Sequence, residues 1–191
     1  MDNIPQKFVV SRLPKQYLKQ GLTHCGAFSI KGILSAFGKD DKEDPRDYYP
    51  SRLRRALLLM SPSLWARVLT TQGVSAQVGN MKNLSDEQRI MLLKSLLLKD
   101  TPIMLRIGNG YLPNGGYSAL LASIVGHWIT LWGYDDAEKV FYVYDSAVPL
   151  GFYDKDILAG NKKRTYIEMM RDINSFGFLY RHQYVYIVPS S

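Results

Sequence analysis

The chain has 191 residues, 46% of them hydrophobic and 21% charged, with 15 glycines and 9 prolines. Those fractions supply one sizeable core and exclude collagen-like, low-complexity and disordered classes, so a single domain over residues 1–191 is expected. The longest apolar runs, at residues 56–60 and 96–98, fall far short of the ~20 residues that a membrane-spanning helix requires. Lys and Arg number 24 against 17 Asp and Glu, a formal charge of +7. The basic residues are spread out, and the densest groups (Arg52, Arg54 and Arg55; Lys162, Lys163 and Arg164) sit in no nucleic-acid module, so nucleic acid is not an expected partner. Asp2 and Pro5 stand where a secretory signal carries a basic and then an apolar stretch, and Cys25 is the only cysteine. A reducing, cytoplasmic location without disulfides is therefore expected. The three histidines have no ligand spacing, and neither a metal nor another cofactor is expected.

The first predicted element is a buried helix that starts near Thr23 or Cys25. Ala27, Ile30, Ile33, Leu34 and Phe37 recur at helical spacing, Thr23 is the expected N-cap and Gly38 the stop. Residues 39–45 read as a solvated loop. Residues 51–71 predict one or two helices interrupted at Pro62, and residues 73–78, with Val74, Ala76 and Val78 alternating, a short strand. A surface helix over 85–99 opens on a Ser85–Gln88 capping box. The period then changes: a strand over 103–107 is followed by a glycine-rich loop up to Ser118. Two β-rich runs, 127–134 and 140–145, are joined by a hairpin, and a last strand occupies 183–188. Helices first and an antiparallel sheet after them make an α+β arrangement.

A nucleophilic cysteine must be a thiolate when it attacks, and the first turn of a helix favours that anion through unpaired N–H groups. Cys25 is predicted there, with Gly26 beside it leaving room for a carbonyl. Of the three candidate bases, His24 is adjacent to Cys25 and does not face it, and His182 reads as the exposed start of a strand. His127, at the start of a strand, remains. With the hairpin centred near Ala137, Ile129 faces Asp145, and His127 lies two residues along on the same sheet face. A diagonal pair of this kind is ~7–8 Å apart at Cα, within reach for an imidazole and a carboxylate. Asp145 is then the orienting group, with Asp154 and Asp156 weaker choices on a later loop. Gln20, five positions before Cys25, offers an amide that would form a two-donor oxyanion hole with the Cys25 backbone N–H. Most of the aromatics Trp128, Trp132, Tyr134, Tyr142 and Tyr144 are expected to pack in the core.

This order over residues 16–147, Gln20, then Cys25-Gly26, then His127-Trp128 opening a strand that ends Gly133-Tyr134-Asp135, then Asp145, resembles papain-like cysteine peptidases. The likeness is greatest to bacteriocin leader peptidases that cut after a double glycine, in free-standing form. It implies a central helix headed by Cys25 on a C-terminal antiparallel sheet, a Cys25–His127–Asp145 triad, Gln20 in the oxyanion hole, and a peptide or protein substrate. The chain departs from that group in a short Gln20-to-Cys25 spacing, in lacking exporter helices and a Walker P-loop, and in Ser146-Ala147 after Asp145, where many relatives carry proline. The expected function is hydrolysis of a peptide or amide bond through an acyl-enzyme. The alternatives are acyl transfer at the same thiol, with residues 111–117 as a cover, and a papain-fold binding protein without activity.

Overall fold

The computed structural model describes residues 4–57, 60–112, 116–175 and 180–189. Part of the glycine-rich loop, Pro113, Asn114 and Gly115, thus lies outside the described residues. A short strand β1 (Lys7–Val9) precedes the central helix α1 (Cys25–Ala36), and α2 (Arg52–Leu57) and α3 (Pro62–Thr71) follow, with Pro62 opening α3 rather than breaking it. Next come β2 (Ala76–Asn80), α4 (Asp86–Leu97) and β3 (Ile103–Gly108). Then α5 (Ala119–Ile124) leads into β4 (Gly126–Asp135) and β5 (Val140–Tyr144). The chain closes with β6 (Lys162–Thr165), α6 (Tyr166–Ser175) and β7 (Gln183–Ile187). The α+β class and the cysteine-headed helix on an antiparallel sheet are as expected. The order is more interleaved than helices followed by sheet: β1 and β2 come early, and α5, β6 and α6 are additional to the expected elements, although Tyr166, Met169, Met170 and Ile173 recur at helical spacing in α6. The strand expected over 73–78 is shifted to Ala76–Asn80, because Val74 is buried while Val78 is exposed, the reverse of a shared inward face.

The strands form one antiparallel sheet in the order β2-β7-β3-β4-β5-β6, with β1 paired to the far half of β4. Thr130 faces Tyr144 and Leu131 faces Val143, the register that a turn centred on Ala137 requires. A bulge at Trp132 then shifts the pairing by one, so Gly133 faces Tyr142. Pleat alternation sets His127, Ile129 and Phe141 on one face and Trp128, Thr130 and Tyr144 on the other. Tyr166 of α6 stacks on Phe141 with ring centroids 4.8 Å apart, whereas α1 lies on the opposite face with Gly32 against the Tyr144 ring. Trp128, Trp132, Tyr134, Tyr142 and Tyr144, most of them expected in the core, are all buried, joined by Trp65 from α3 and by Ile30, Ile33 and Leu34 from α1. No helix among the described residues is long and apolar enough to cross a membrane.

Two local features fix where α1 begins and ends. Gly38, at φ +65°, takes the left-handed position that closes the helix, and the Lys39 N–H returns to the Leu34 carbonyl at 2.8 Å. At the other end the N-cap is His24, not Thr23. His24 lies at φ 76° with no side-chain cap, and its carbonyl accepts from Ala27 N–H at 2.9 Å. Gly26 does not provide an opening either. A Cβ there would lie 2.6 Å from the indole of the fully buried Trp65, so the missing side chain admits close packing of α3 across the helix start. Gly26→Ala is predicted to lower unfolding free energy by about 1–3 kcal/mol through overpacking against a rigid ring. Urea unfolding of the variant beside Gly32→Ala, whose Cβ would meet only the edge of Tyr144 at 3.3 Å, measures this, with the larger loss expected at Gly26.

Candidate active site

The strand β4 outruns β5 at its start, since their ladder stops at Thr130 and Tyr144. The backbone of Trp128 therefore has no β5 partner on that edge, and the first turn of α1 takes the vacancy. Trp128 N–H donates to Cys25 Sγ at 3.3 Å, and Ser29 Oγ donates to the Trp128 carbonyl at 3.4 Å. This docking brings the thiol, which belongs to the helix on one sheet face, to the strand end where His127 projects on the other.

His127 is buried, and its Nε2 lies 2.7 Å from Asp145 Oδ1. The ring also shares a hydrogen bond with the Cys25 thiol. Burial opposes ionisation of the thiol. The charge of His127, the hydrogen bond to it, and the N–H groups of Trp128 and Gly26 outweigh that cost and hold the Cys25 pKa below its ordinary value. Burial likewise opposes protonation of His127, but the charges of Asp145 and Cys25 and hydrogen bonds to both raise its pKa from 6.5 to about 10. Each group thus shifts its partner toward the charged form.

Asp145 is held from every side. Arg164 Nη2 donates to Oδ2, and Ala147 N–H donates to Oδ1 at 2.9 Å. Asn161 clamps the backbone, accepting from Asp145 N–H and donating to the Asp145 carbonyl, both at 2.8 Å. Burial alone would raise the carboxyl pKa; the His127 charge and hydrogen bond, then Arg164 and Ala147, drive it far below the ordinary carboxylate range. Arg164 is buried between two carboxylates, its Nη1 donating to Asp172 Oδ2 at 2.6 Å. Asp172 in turn accepts from Arg171 Nε and Tyr117 Oη, each at 3.0 Å.

Gln20 is buried beside this group. Its backbone N–H donates to the Ser146 carbonyl at 2.9 Å, and its Oε1 accepts from Ser146 Oγ at 2.5 Å. The other expected candidates stand apart. His24 lies against Tyr49, its Nδ1 3.3 Å from the phenol oxygen. His182, expected to be exposed, is buried at φ 64° with Nε2 3.1 Å from Asn174 Oδ1, because Gln183 and not His182 opens β7. Asp154 pairs with Lys162 at 2.8 Å and Asp156 is exposed, so neither joins His127. Sequence reasoning missed Arg164, Asn161 and Ser146. Arg164 had a signal in strand alternation, which turns it inward from Lys163 within a run that reads as solvated. Among the described residues no cluster of His, Cys, Asp and Glu is arranged to hold a metal ion.

Two hollows border the site. A groove of about 690 Å³ runs along Gly21, Leu22, Thr23, His24 and Phe28 to the turn around Pro45. A cavity of about 390 Å³, with Tyr111, Leu112, Val148, Pro149 and Phe152 in its wall, lies behind Asp145 and Arg164.

The Asp145 linkage has a definite sign. A depressed carboxyl pKa gives stability that is complete above the unfolded value near 3.9 and is lost as pH falls through the folded one. The stability gap between wild type and Asp145→Asn is predicted to shrink as pH drops below about 4, measured by urea unfolding. Arg164→Met strands two buried carboxylates and should cost about 3–5 kcal/mol in the same assay at neutral pH.

No protein-family model matches the sequence, and no curated protein matches it. Solved structures do. A double glycine motif protease from an AMS/PCAT transporter, solved with its leader peptide, aligns over 95% of this chain and 97% of its own at TM-score 0.54 and 15% identity. A protein from Bacillus anthracis described as a C39-like peptidase aligns over 97% of this chain and 98% of its own, at TM-score 0.55 and 14% identity. The chain is therefore similar in fold, over nearly its whole length, to papain-like peptidases of the C39 type.

Proposed function

We propose that this protein is a cysteine peptidase acting through Cys25, His127 and Asp145, with residues 1–191 forming one papain-like domain. The observation that carries the reading is the continuous chain of contacts from Cys25 Sγ through the His127 ring to Asp145 Oδ1, the last at 2.7 Å, at the N-terminus of a buried helix. The Cys25 thiolate attacks the carbonyl carbon of a peptide bond and forms the Sγ–C bond. The negative charge that develops on the carbonyl oxygen meets the Cys25 backbone N–H and the Gln20 amide. His127, as imidazolium, gives its proton to the departing amine, which leaves the acyl-enzyme and a neutral imidazole. Water then attacks, His127 takes its proton, and the acid is released with the thiolate restored. Asp145 keeps the ring in the tautomer and orientation that both steps use.

A peptide substrate is supported by the leader peptide bound to the transporter protease of similar fold and by the open groove along Leu22, His24 and Phe28, on the loop and helix that carry Cys25. A nucleophile of this kind works where thiols stay reduced, consistent with a cytoplasmic place.

Iodoacetamide labelling across pH, with intact mass locating the adduct, tests the ion pair. The wild type should label at Cys25 well below the free-thiol pKa of ~8.5, and His127→Ala should lose that labelling. A peptide library that includes internal Gly-Gly sequences should be cut by the wild type and not by Cys25→Ala. Cleavage should fall by about 10²–10⁴-fold in His127→Ala. Slow labelling with ordinary thiol pH dependence in both proteins would contradict the reading, and amine adducts in place of free acids would make the enzyme a transferase.

A further inference from the structure

The segment after Asp145 makes a second connection that the triad alone does not need. Ser146 is buried, and it is bound to Gln20 twice: its carbonyl accepts from the Gln20 backbone N–H at 2.9 Å, and its hydroxyl donates to Gln20 Oε1 at 2.5 Å. An amide has one accepting and one donating end. Once Oε1 is engaged by a hydroxyl that has only one proton to give, the NH2 end is turned away from Ser146. A hydrogen bond to the amide oxygen also polarises the group and strengthens its N–H as a donor. The backbone that leads into Ser146 is held on both sides of Asp145, because Asn161 clamps it through two 2.8 Å bonds.

We infer that Ser146 is a positioning residue for the oxyanion donor. One dipeptide, Asp145-Ser146, thereby orients both ends of the reaction centre: the carboxylate aligns His127 and the hydroxyl aligns Gln20. Proline at 146 would lack the hydroxyl, so the serine supplies a contact that a proline-bearing chain must make otherwise. This inference rests on the peptidase reading above and adds a role for a residue outside the triad.

The test separates steps that build an oxyanion from steps that do not. The probe is p-nitrophenyl acetate: Sγ bonds to the acetyl carbon, the carbon–oxygen bond to p-nitrophenolate breaks, and water later frees acetate. This acylation passes through an oxyanion, whereas alkylation by iodoacetamide does not. Acylation, taken as the burst that Cys25→Ala lacks, should fall about tenfold in Ser146→Ala and about a hundredfold in Gln20→Ala. The double variant should match Gln20→Ala within about twofold, since Ser146 acts only through Gln20. Alkylation rate and its pH profile should stay at wild-type values in Ser146→Ala, and Ser146→Thr, which restores the hydroxyl, should recover part of the burst. A wild-type burst retained in Ser146→Ala, effects of the two substitutions that multiply, or an equal fall in alkylation would each overturn the inference and leave the peptidase reading standing. A wild type with no Cys25-dependent burst and ordinary thiol alkylation would overturn the peptidase reading and this inference with it.

Discussion

The interior of this protein holds a chain of charge that runs from Cys25 through His127 and Asp145 to Arg164, Asp172 and Arg171. Asp145, Asp172, His127 and Arg164 are all buried, and a lone charge in such a place costs several kcal/mol. Each is tolerable only because its neighbour carries the opposite sign. The His127 ring and the Arg164 cation together make a buried Asp145 carboxylate possible, and Asp172 balances the second arm of the guanidinium. The fold around the site serves this arrangement. Strand β6 turns Arg164 inward, and α6 carries the Asp172 that meets its second arm.

The second constraint is the unequal length of β4 and β5. Because β5 stops at Tyr144, the start of β4 keeps a free edge, and the first turn of α1 is seated on it through Trp128 and Ser29. Trp65, packed where a Gly26 side chain would be, holds that turn from the outside. The same ending of β5 releases the chain at Asp145, so the carboxylate and the segment that grips Gln20 leave the sheet at the thiol. His24, left-handed at the helix start, is the strained residue that lets the loop enter this crowded place.

The long-range part of the site was legible in the sequence for a simple reason. A hairpin with a turn-rich centre fixes register, and period two fixes faces, so His127 and Asp145 fall on the same side of the sheet before any coordinates are known. The apolar spacing of Ala27, Ile30, Ile33 and Leu34 placed the Cys25 helix by the same kind of argument. What was not legible depends on contacts between distant segments. Arg164 lies in a basic run whose partners are 19 and 8 positions away, and only its place in the strand alternation sets it apart from Lys163. The Trp132 bulge and the left-handed His24 and His182 are backbone choices that packing imposes on residues of ordinary propensity. Gly26 is small because of Trp65, a neighbour in space on another helix, and not because a ligand needs the room.

The account turns on whether His127 is a cation that shares its proton environment with the Cys25 sulfur. The most direct measurement is an NMR titration of the His127 ring, before and after Cys25 is capped as the methyl disulfide. The account predicts an imidazolium at neutral pH in the free protein, with a midpoint far above the ordinary ~6.5, and a fall of more than about one pH unit once the thiolate is removed. A midpoint near ~6.5 that does not respond to capping would contradict it, because the sulfur and the ring would then titrate as strangers.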